Sequence, residues 1–433
     1  MQILKFTGKL FPDWVRWLSS IPDYRVQKRC RFSLEQVLFC GLMLFILRHR
    51  SLRAFVLETR GSPKAIENFG KGITISEVPS DDDLRYCLST VSLRSMNGLL
   101  KCFHNQIERR KLLSNEKLFG RLELVALDGT GQISSSNIHC EKCLTRKQET
   151  GGILYLHGQL LASLTNTKAT YALPLQFEPI ERSDTETEYT KNDCELNAAK
   201  RLIQKMKTDF PKRSFCFLGD NLFAVEPFVS LILQKGWHFI FTAKPERNKE
   251  LFYMFDYVYE KKKTLSLVDQ KGHLHVYSWS NKLPIKKANF KEPVLHVNLL
   301  TEEEIDADGV LVYRGAWITD FAIDAGSVKA LAQAGRARFA IENRNFNEQK
   351  KSGFHTEHNF GHFGNLPNVF FGLAQVAQLI TELFRFWVPA KEWIETVGSK
   401  RRYFERLAVL VTEMIIEDSG LSILYLKFDF NTS

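Results

Sequence analysis

The hydrophobic spacing of this chain changes period near residue 120, from helical to strand-like, and that switch limits the architectures open to it. Upstream, Ser33 with Gln36 three residues later predicts a capped helix start before the apolar run Val37–Leu47. Ser80 followed by Asp81, Asp82 and Asp83 predicts a second start, because acidic residues in a first turn oppose the positive end of the helix dipole. That helix carries Leu84, Leu88 and Val91, with Leu99, Leu100 and Phe103 further along. Downstream, Leu122, Leu124 and Ala126 alternate with Glu123, Val125 and Leu127 in a run that ends in Asp128-Gly129. Further strands are expected at Ile153–Leu164, Thr170–Ile180, Ser214–Leu218 and His238–Ala243, with helices at Asp193–Phe210 and Val225–Lys235. Three strands followed by alternating helix and strand predict a mixed α/β sheet.

Residues 246–323 interrupt this alternation with short β-type runs at Thr264–Val268, His273–Trp279, Val294–Leu300 and Val310–Ile323, so a β insertion is expected there. A long helix then runs from Ser327 through Lys351, a His-, Asn- and Gly-rich loop follows, and Leu366–Leu426 reads as mostly helical. The expected division is a helical N-terminal domain (1–120), an α/β domain (121–365) carrying the insertion, and a helical C-terminal part (366–433).

With 433 residues, 44% hydrophobic and 25% charged, the chain has the composition of a globular protein with a large core. Its net charge of +10 suits a polyanionic partner, since Lys and Arg near phosphates release condensed counterions. The eight cysteines sit mostly in apolar segments, and a chain this long does not need a disulfide framework. Residues 1–9 lack the apolar run of a signal peptide, and Val37–Leu47 is far short of the ~20 residues that span a bilayer. A cytoplasmic, reducing location without a membrane partner is therefore expected.

Asp128 and Asp220 each follow an apolar strand run and precede turn residues, while Glu342 lies on the helix after the insertion. Oxygen ligands converging from separate elements are what a pair of hard divalent cations needs, and such a pair serves phosphoryl transfer. Taken singly, each aspartate equally suits a turn cap and Glu342 a helix surface, and the spacings of 92 and 122 residues are unspecific in a chain with 49 acidic residues.

The surroundings are more specific. Leu127-Asp128-Gly129-Thr130, Leu218-Gly219-Asp220-Asn221-Leu222-Phe223 and Gly335-Arg336-Ala337-Arg338-Phe339-Ala340-Ile341-Glu342-Asn343 together resemble the DDE transposases of bacterial insertion sequences. The likeness covers roughly residues 120–390 and is to the group with an RNase-H-like catalytic fold, a β insertion before the Glu, and a YREK signature around it; His355–His362 adds to it. The resemblance implies two Mg²⁺ or Mn²⁺ ions on Asp128, Asp220 and Glu342, double-stranded DNA (element ends and target) as partner, a homodimer on DNA and a nucleoid-associated location. It assigns DNA contact to Arg338, one helical turn before Glu342, to Lys350, and to Trp317 as a platform for an extruded base. A large aromatic on a strand equally suits a core. This chain departs from the signature in two places: its Tyr is Gly335 and its Lys is Gln349, with Lys350 one step later. A transposase-derived DNA-binding protein without catalysis and an RNase-H-type nuclease are the alternatives.

His139, Cys140, Cys143 and His157 form half of a possible zinc site, for which no second CxxC or spaced His pair is evident. His355, His358 and His362 fall on a loop, where capping and packing explain them as well as catalysis would. The basic clusters Arg25, Lys28, Arg29 and Arg31, Lys261–Lys263 and Lys286-Lys287 read either as solvated faces or as phosphate contacts. No GxxxxGK[ST] loop or Rossmann fingerprint occurs, so nucleotide use is not indicated.

Overall fold

A computed structural model describes residues 2–149, 151–182, 193–258, 262–285, 295–416 and 427–430. The chain opens with α1 (Gln2–Leu10), α2 (Trp14–Ser19), α3 (Leu34–Ile46), α4 (Leu52–Thr59), α5 (Pro63–Gly70), α6 (Asp81–Leu88) and α7 (Leu93–Arg109). Both expected starts are capping boxes. The Ser33 hydroxyl accepts from the Gln36 amide while the Gln36 side chain accepts from the Ser33 amide, and Ser80 with Asp83 does the same. From Val37 to its end, helix α3 is apolar on every face and is correspondingly buried all round.

The sheet is built from β1 (Glu123–Ser135), β2 (Leu144–Lys147), β3 (Ile153–Thr165), β4 (Leu173–Ile180), β5 (Phe215–Gly219) and β6 (His238–Thr242), with α8 (Glu195–Asp209) and α9 (Glu226–Gln234) flanking β5 in sequence. Short helix α10 (Lys249–Tyr253) leads to β7 (Lys263–Val268), β8 (Leu274–Ile285), β9 (Leu295–Ile305) and β10 (Leu311–Thr319). All ten strands form one sheet in the order β2-β3-β1-β5-β6-β10-β9-β8-β7, with β4 paired to β3 as well. Strands β1, β5 and β6 are mutually parallel, while β1–β3, β3–β4 and every pair from β6 to β7 are antiparallel.

Two expectations are corrected. The first strand does not end at Asp128-Gly129. It continues to Ser135 because β3 pairs with it along its whole length, through an irregularity between Gly131 and Ile133. The insertion is not a separate β subdomain either: Trp317, Ile318 and Thr319 pair with Thr242, Phe241 and Ile240, so β10 continues the main sheet. An isolated hairpin would leave an edge unpaired, and adding it to β6 satisfies that edge.

After the sheet come α11 (Val328–Arg336), α12 (Asn347–Lys351), α13 (Leu366–Phe386), α14 (Val388–Val397) and α15 (Lys400–Glu413). The N- and C-terminal helices form one layer, in which α13 packs on α3, α7 and β4, and α15 packs on α5. Helix α13 is long and apolar enough to cross a membrane by length and composition, but it is buried here as the central core helix. Its polar residues meet partners within that core: Gln375 pairs with Gln349, and Gln378 donates to the Arg344 carbonyl.

Candidate active site

The parallel pairing of β1 with β5 sets Ala126 beside Leu218, a register that carries Asp128 to the level of Asp220. Each carboxylate is steadied by the backbone after it: Asp128 Oδ1 accepts from the Gly129 amide at 2.9 Å and Asp220 Oδ1 from the Leu222 amide at 2.8 Å. Burial pushes the Asp128 carboxyl up to about 6; Arg338 draws it down, while the charges of Asp220 and Glu342 raise it further. Asp128 therefore feels the charges of both other carboxylates, and Glu342 is the solvent-exposed member.

Glu342 is not on a regular α-helix. The helical course expected from Ser327 to Lys351 is continuous, but it tightens to a 3₁₀ turn at Ala337–Phe339 and widens to a π-helix at Ile341–Phe346. Single π-turns within helices recur at functional sites because they re-aim side chains. The widened turn is held from behind by Gln378, whose amide donates to the Arg344 carbonyl at 3.0 Å, and faces β3 through Asn345. Asn343 and Asn345, both modest helix formers, are the only local hint of it.

Arg338 lies within the cluster, with Nη1 3.3 Å from Asp128 Oδ2. Its guanidinium stacks 4.3 Å from the ring of Phe339, which is 43% exposed. Arg336 points the other way: it pairs with Glu302 and Glu304 on β9 and stacks on Tyr313 of β10, locking the helix to the insertion.

Glu195, at the start of α8, is a carboxylate that the sequence analysis did not single out. A Cβ on residue 129 would sit 2.4 Å from the Glu195 carboxyl carbon, so a larger residue there would push the Glu195 side chain aside. Burial raises the Glu195 pKa, and the charges of Asp128 and Asp220 add to the rise. The Gly at 129 was the available signal, but nothing local tells which distant side chain fills the space above it.

Next to this cluster, a cleft of about 980 Å³ opens between Asp220 and the insertion, lined among others by Lys244, Arg314, Arg338 and Phe339. Lys244 is exposed in it, and Arg247 and Lys249, next along the chain, are exposed as well. Trp317 also borders this cleft but is 2% exposed. It is a core residue in this conformation, not a free stacking platform, and the exposed aromatic here is Phe339. The indole explains the first departure from the signature, because a Cβ at Gly335 would come within 2.5 Å of Trp317 Nε1. Gly335→Ala is accordingly expected to destabilise the fold by about 1–3 kcal/mol, the cost of overpacking a rigid neighbour. That reverses the gain of up to about 1 kcal/mol usual for Gly→Ala within a helix. Denaturant unfolding measures it, and unchanged or higher stability would mean that the indole moves aside freely.

The second departure is also buried: Gln349 exchanges two hydrogen bonds with Gln375, at 2.8 and 3.1 Å. Lys350 turns outward to Glu357, 3.1 Å away. In the N-terminal basic cluster, Arg25 is buried in a 2.7 Å pair with Asp23 and Arg31 pairs with Glu77, leaving Lys28 and Arg29 exposed. Lys262 pairs with Asp256, whereas Lys261, Lys286 and Lys287 lie outside the described residues.

The possible zinc ligands are corrected in one member. His139 stacks on Tyr155 at 4.4 Å, and its place beside Cys140, Cys143 and His157 is taken by His362 from the loop before α13. No family model and no curated protein sequence matches this chain.

Proposed function

We propose that this chain is a DDE transposase of a bacterial insertion sequence, which cuts and joins DNA strands at element ends. The observation that carries this reading is that Asp128 and Asp220 meet at one level of two parallel strands, with the charge of Glu342 felt at Asp128 and Arg338 3.3 Å from Asp128. The strand order β4-β3-β1-β5-β6, antiparallel on one side of β1 and parallel on the other, supports an RNase-H-like catalytic core. Both departures from the family signature are packed into the interior, Gly335 under Trp317 and Gln349 against Gln375. That favours a divergent enzyme over a decayed one.

The donor set fits Mg²⁺ or Mn²⁺: it is all carboxylate oxygen, with Arg338 the one cation among the described residues that lowers the Asp128 carboxyl. Two such ions on Asp128, Asp220 and Glu342 would polarise the scissile phosphate and acidify the attacking hydroxyl. The protein's own groups do the rest. Arg338 offers charge-assisted hydrogen bonds to a phosphate, which competes with Asp128 for it. Lys244, Arg247 and Lys249 line the approach of the DNA backbone by charge. Phe339 presents a ring face on which an unpaired base can stack. Holding two element ends calls for a homodimer on DNA, in the nucleoid-bearing cytoplasm.

Glu195 supports the ligands from behind, with its carboxyl over Gly129 beside Asp128. Glu195→Gln is expected to lower cleavage about 10–100-fold, as loss of an outer partner does at other metal sites, and to raise the Mg²⁺ requirement. Unchanged cleavage across an Mg²⁺ titration would remove Glu195 from the site.

The reading is tested with labelled DNA bearing the element's own terminal repeats, incubated with the full chain and Mg²⁺ or Mn²⁺. Cutting at the end followed by joining of the released 3′-hydroxyl to a second DNA is the expected result. Binding without cutting in either metal would overturn the catalytic assignment, and cutting without joining would leave a nuclease.

A further inference from the structure

We propose that Cys140, Cys143, His157 and His362 form a tetrahedral zinc site that clamps the loop after the Glu342 helix onto the β1–β3 end of the sheet. One ligand atom from each residue lies within 4.8 Å of all the others. The two sulfurs are 3.8 Å apart, well beyond the length of a disulfide. His157 Nε2 is 3.3 Å from Cys140 Sγ and 3.4 Å from Cys143 Sγ, and His362 Nε2 is 3.2 Å from Cys143 Sγ. A tetrahedral ion with Zn–S of about 2.3 Å and Zn–N of about 2.0–2.1 Å requires S···S of about 3.8 Å and S···N of about 3.6 Å. The separations match that tetrahedron to within a few tenths of an ångström. The two imidazoles stand nearly perpendicular, at 78°, so both can aim Nε2 at a common centre without stacking.

Two thiolates and two imidazoles select a borderline-soft ion, whereas the carboxylates of the active site select Mg²⁺ or Mn²⁺. The two sites would thus hold different metals without exchanging them. All four positions are protein ligands, which is the closed arrangement of a structural zinc site, with no place left for substrate.

The ligands come from three places in the fold. Cys140 and Cys143 lie in the turn before β2, with the Cys143 amide donating to the Cys140 carbonyl at 3.1 Å. His157 is on β3, opposite Ile133 of β1. His362 is on the loop that carries the chain from α12 back to α13, more than 200 residues away in sequence. Binding would therefore cross-link the catalytic sheet to the loop that follows the Glu342 helix, and its free energy would add to folding. This inference stands on the four side chains alone and is independent of the DNA reading.

The test uses the full chain without DNA. Purified protein is expected to hold one zinc per chain. After chelation, Co²⁺ is expected to restore one equivalent with the visible d–d bands and the thiolate charge-transfer band of a tetrahedral S₂N₂ centre, bleached by added Zn²⁺. Cys143→Ser and His362→Asn should each weaken Co²⁺ binding at least 100-fold, whereas His139→Asn and Cys102→Ser should leave the spectrum unchanged. Because the cobalt spectrum is read on the unaltered chain, a variant that fails to fold does not decide the matter. Absence of zinc together with absence of a tetrahedral cobalt spectrum overturns the proposal. So does a cobalt spectrum that survives Cys140→Ser/Cys143→Ser.

Discussion

Asp128→Asn, Asp220→Asn and Glu342→Gln are each expected to reduce strand cleavage by about a thousandfold or more, while binding to element-end DNA persists. Losing one anchoring carboxylate forfeits metal charge stabilisation worth several kcal/mol, and about 4 kcal/mol is a thousandfold in rate. The substitutions are isosteric, and an asparagine at either position still offers the Gly129 or Leu222 amide an oxygen acceptor, so the fold should hold. With the cluster facing DNA as proposed, removing a negative charge from it should leave affinity equal or slightly tighter. In the proposed mechanism one centre serves both steps, so joining is expected to fail together with cleavage in all three variants. If any of them keeps more than a tenth of wild-type cleavage, that carboxylate is not a ligand. Three inactive variants that also fail to bind DNA would point to misfolding instead.

The second large effect lies behind the site. Glu382 on α13 is 1% exposed and meets Arg385 at 2.5 Å and Lys400 at 2.7 Å. Lys400 also reaches Glu348 of α12 at 2.5 Å, and Arg48, with its side chain fully buried, lies 3.6 Å from the same carboxylate. This network ties the end of α3, the Glu342-bearing helical run, α13 and α15 together. Glu382→Gln leaves Arg385 without its anion and Lys400 with Glu348 alone, a loss of up to about 3–5 kcal/mol for a broken buried pair. Burial alone would raise the Glu382 carboxyl, but Lys400 and Arg385 outweigh it and hold it well below its ordinary 4.5. A carboxyl depressed on folding stabilises at pH above its unfolded value and loses that contribution as pH falls. The stability gap between wild type and Glu382→Gln should therefore be full at pH 7 and close progressively below about pH 4.5. Denaturant midpoints across that range measure it. A gap that is small at pH 7, or that fails to narrow in acid, would mean that the charges are compensated elsewhere. Glu382→Gln should also lower cleavage indirectly, since Glu348 sits two residues beyond the π-helix that presents Glu342.

Much of this fold was legible because it depends on near neighbours in the chain. Helix starts at Ser33 and Ser80 follow from hydroxyls and acids three residues apart, and the strand positions follow from apolar runs between turns. Those signals located β3, β5, β6, β7 and α8 to within two residues at each end, whereas β8 and β9 run six and five residues past their expected ends. They failed where pairing partners decide: β1 outruns its apolar segment because β3 accompanies it, and β2 is too short and too polar to announce itself. They also could not show that the insertion extends the main sheet, since register and edge pairing are chosen between segments far apart.

At the candidate site, the chain by itself determined which carboxylates end apolar strand runs, that Arg338 and Glu342 lie a turn apart, and that two cysteines sit at ligand spacing. Only the tertiary structure decided that Asp128 and Asp220 share a level, that Glu195 leans over Gly129, that His362 and not His139 completes the sulfur–nitrogen cluster, and that Trp317 fills the space above Gly335. The reason is physical. Periodicity and capping are short-range constraints written into consecutive residues, whereas a ligand set or a packed void joins residues far apart in the chain, and their meeting is set by the packing of the whole core.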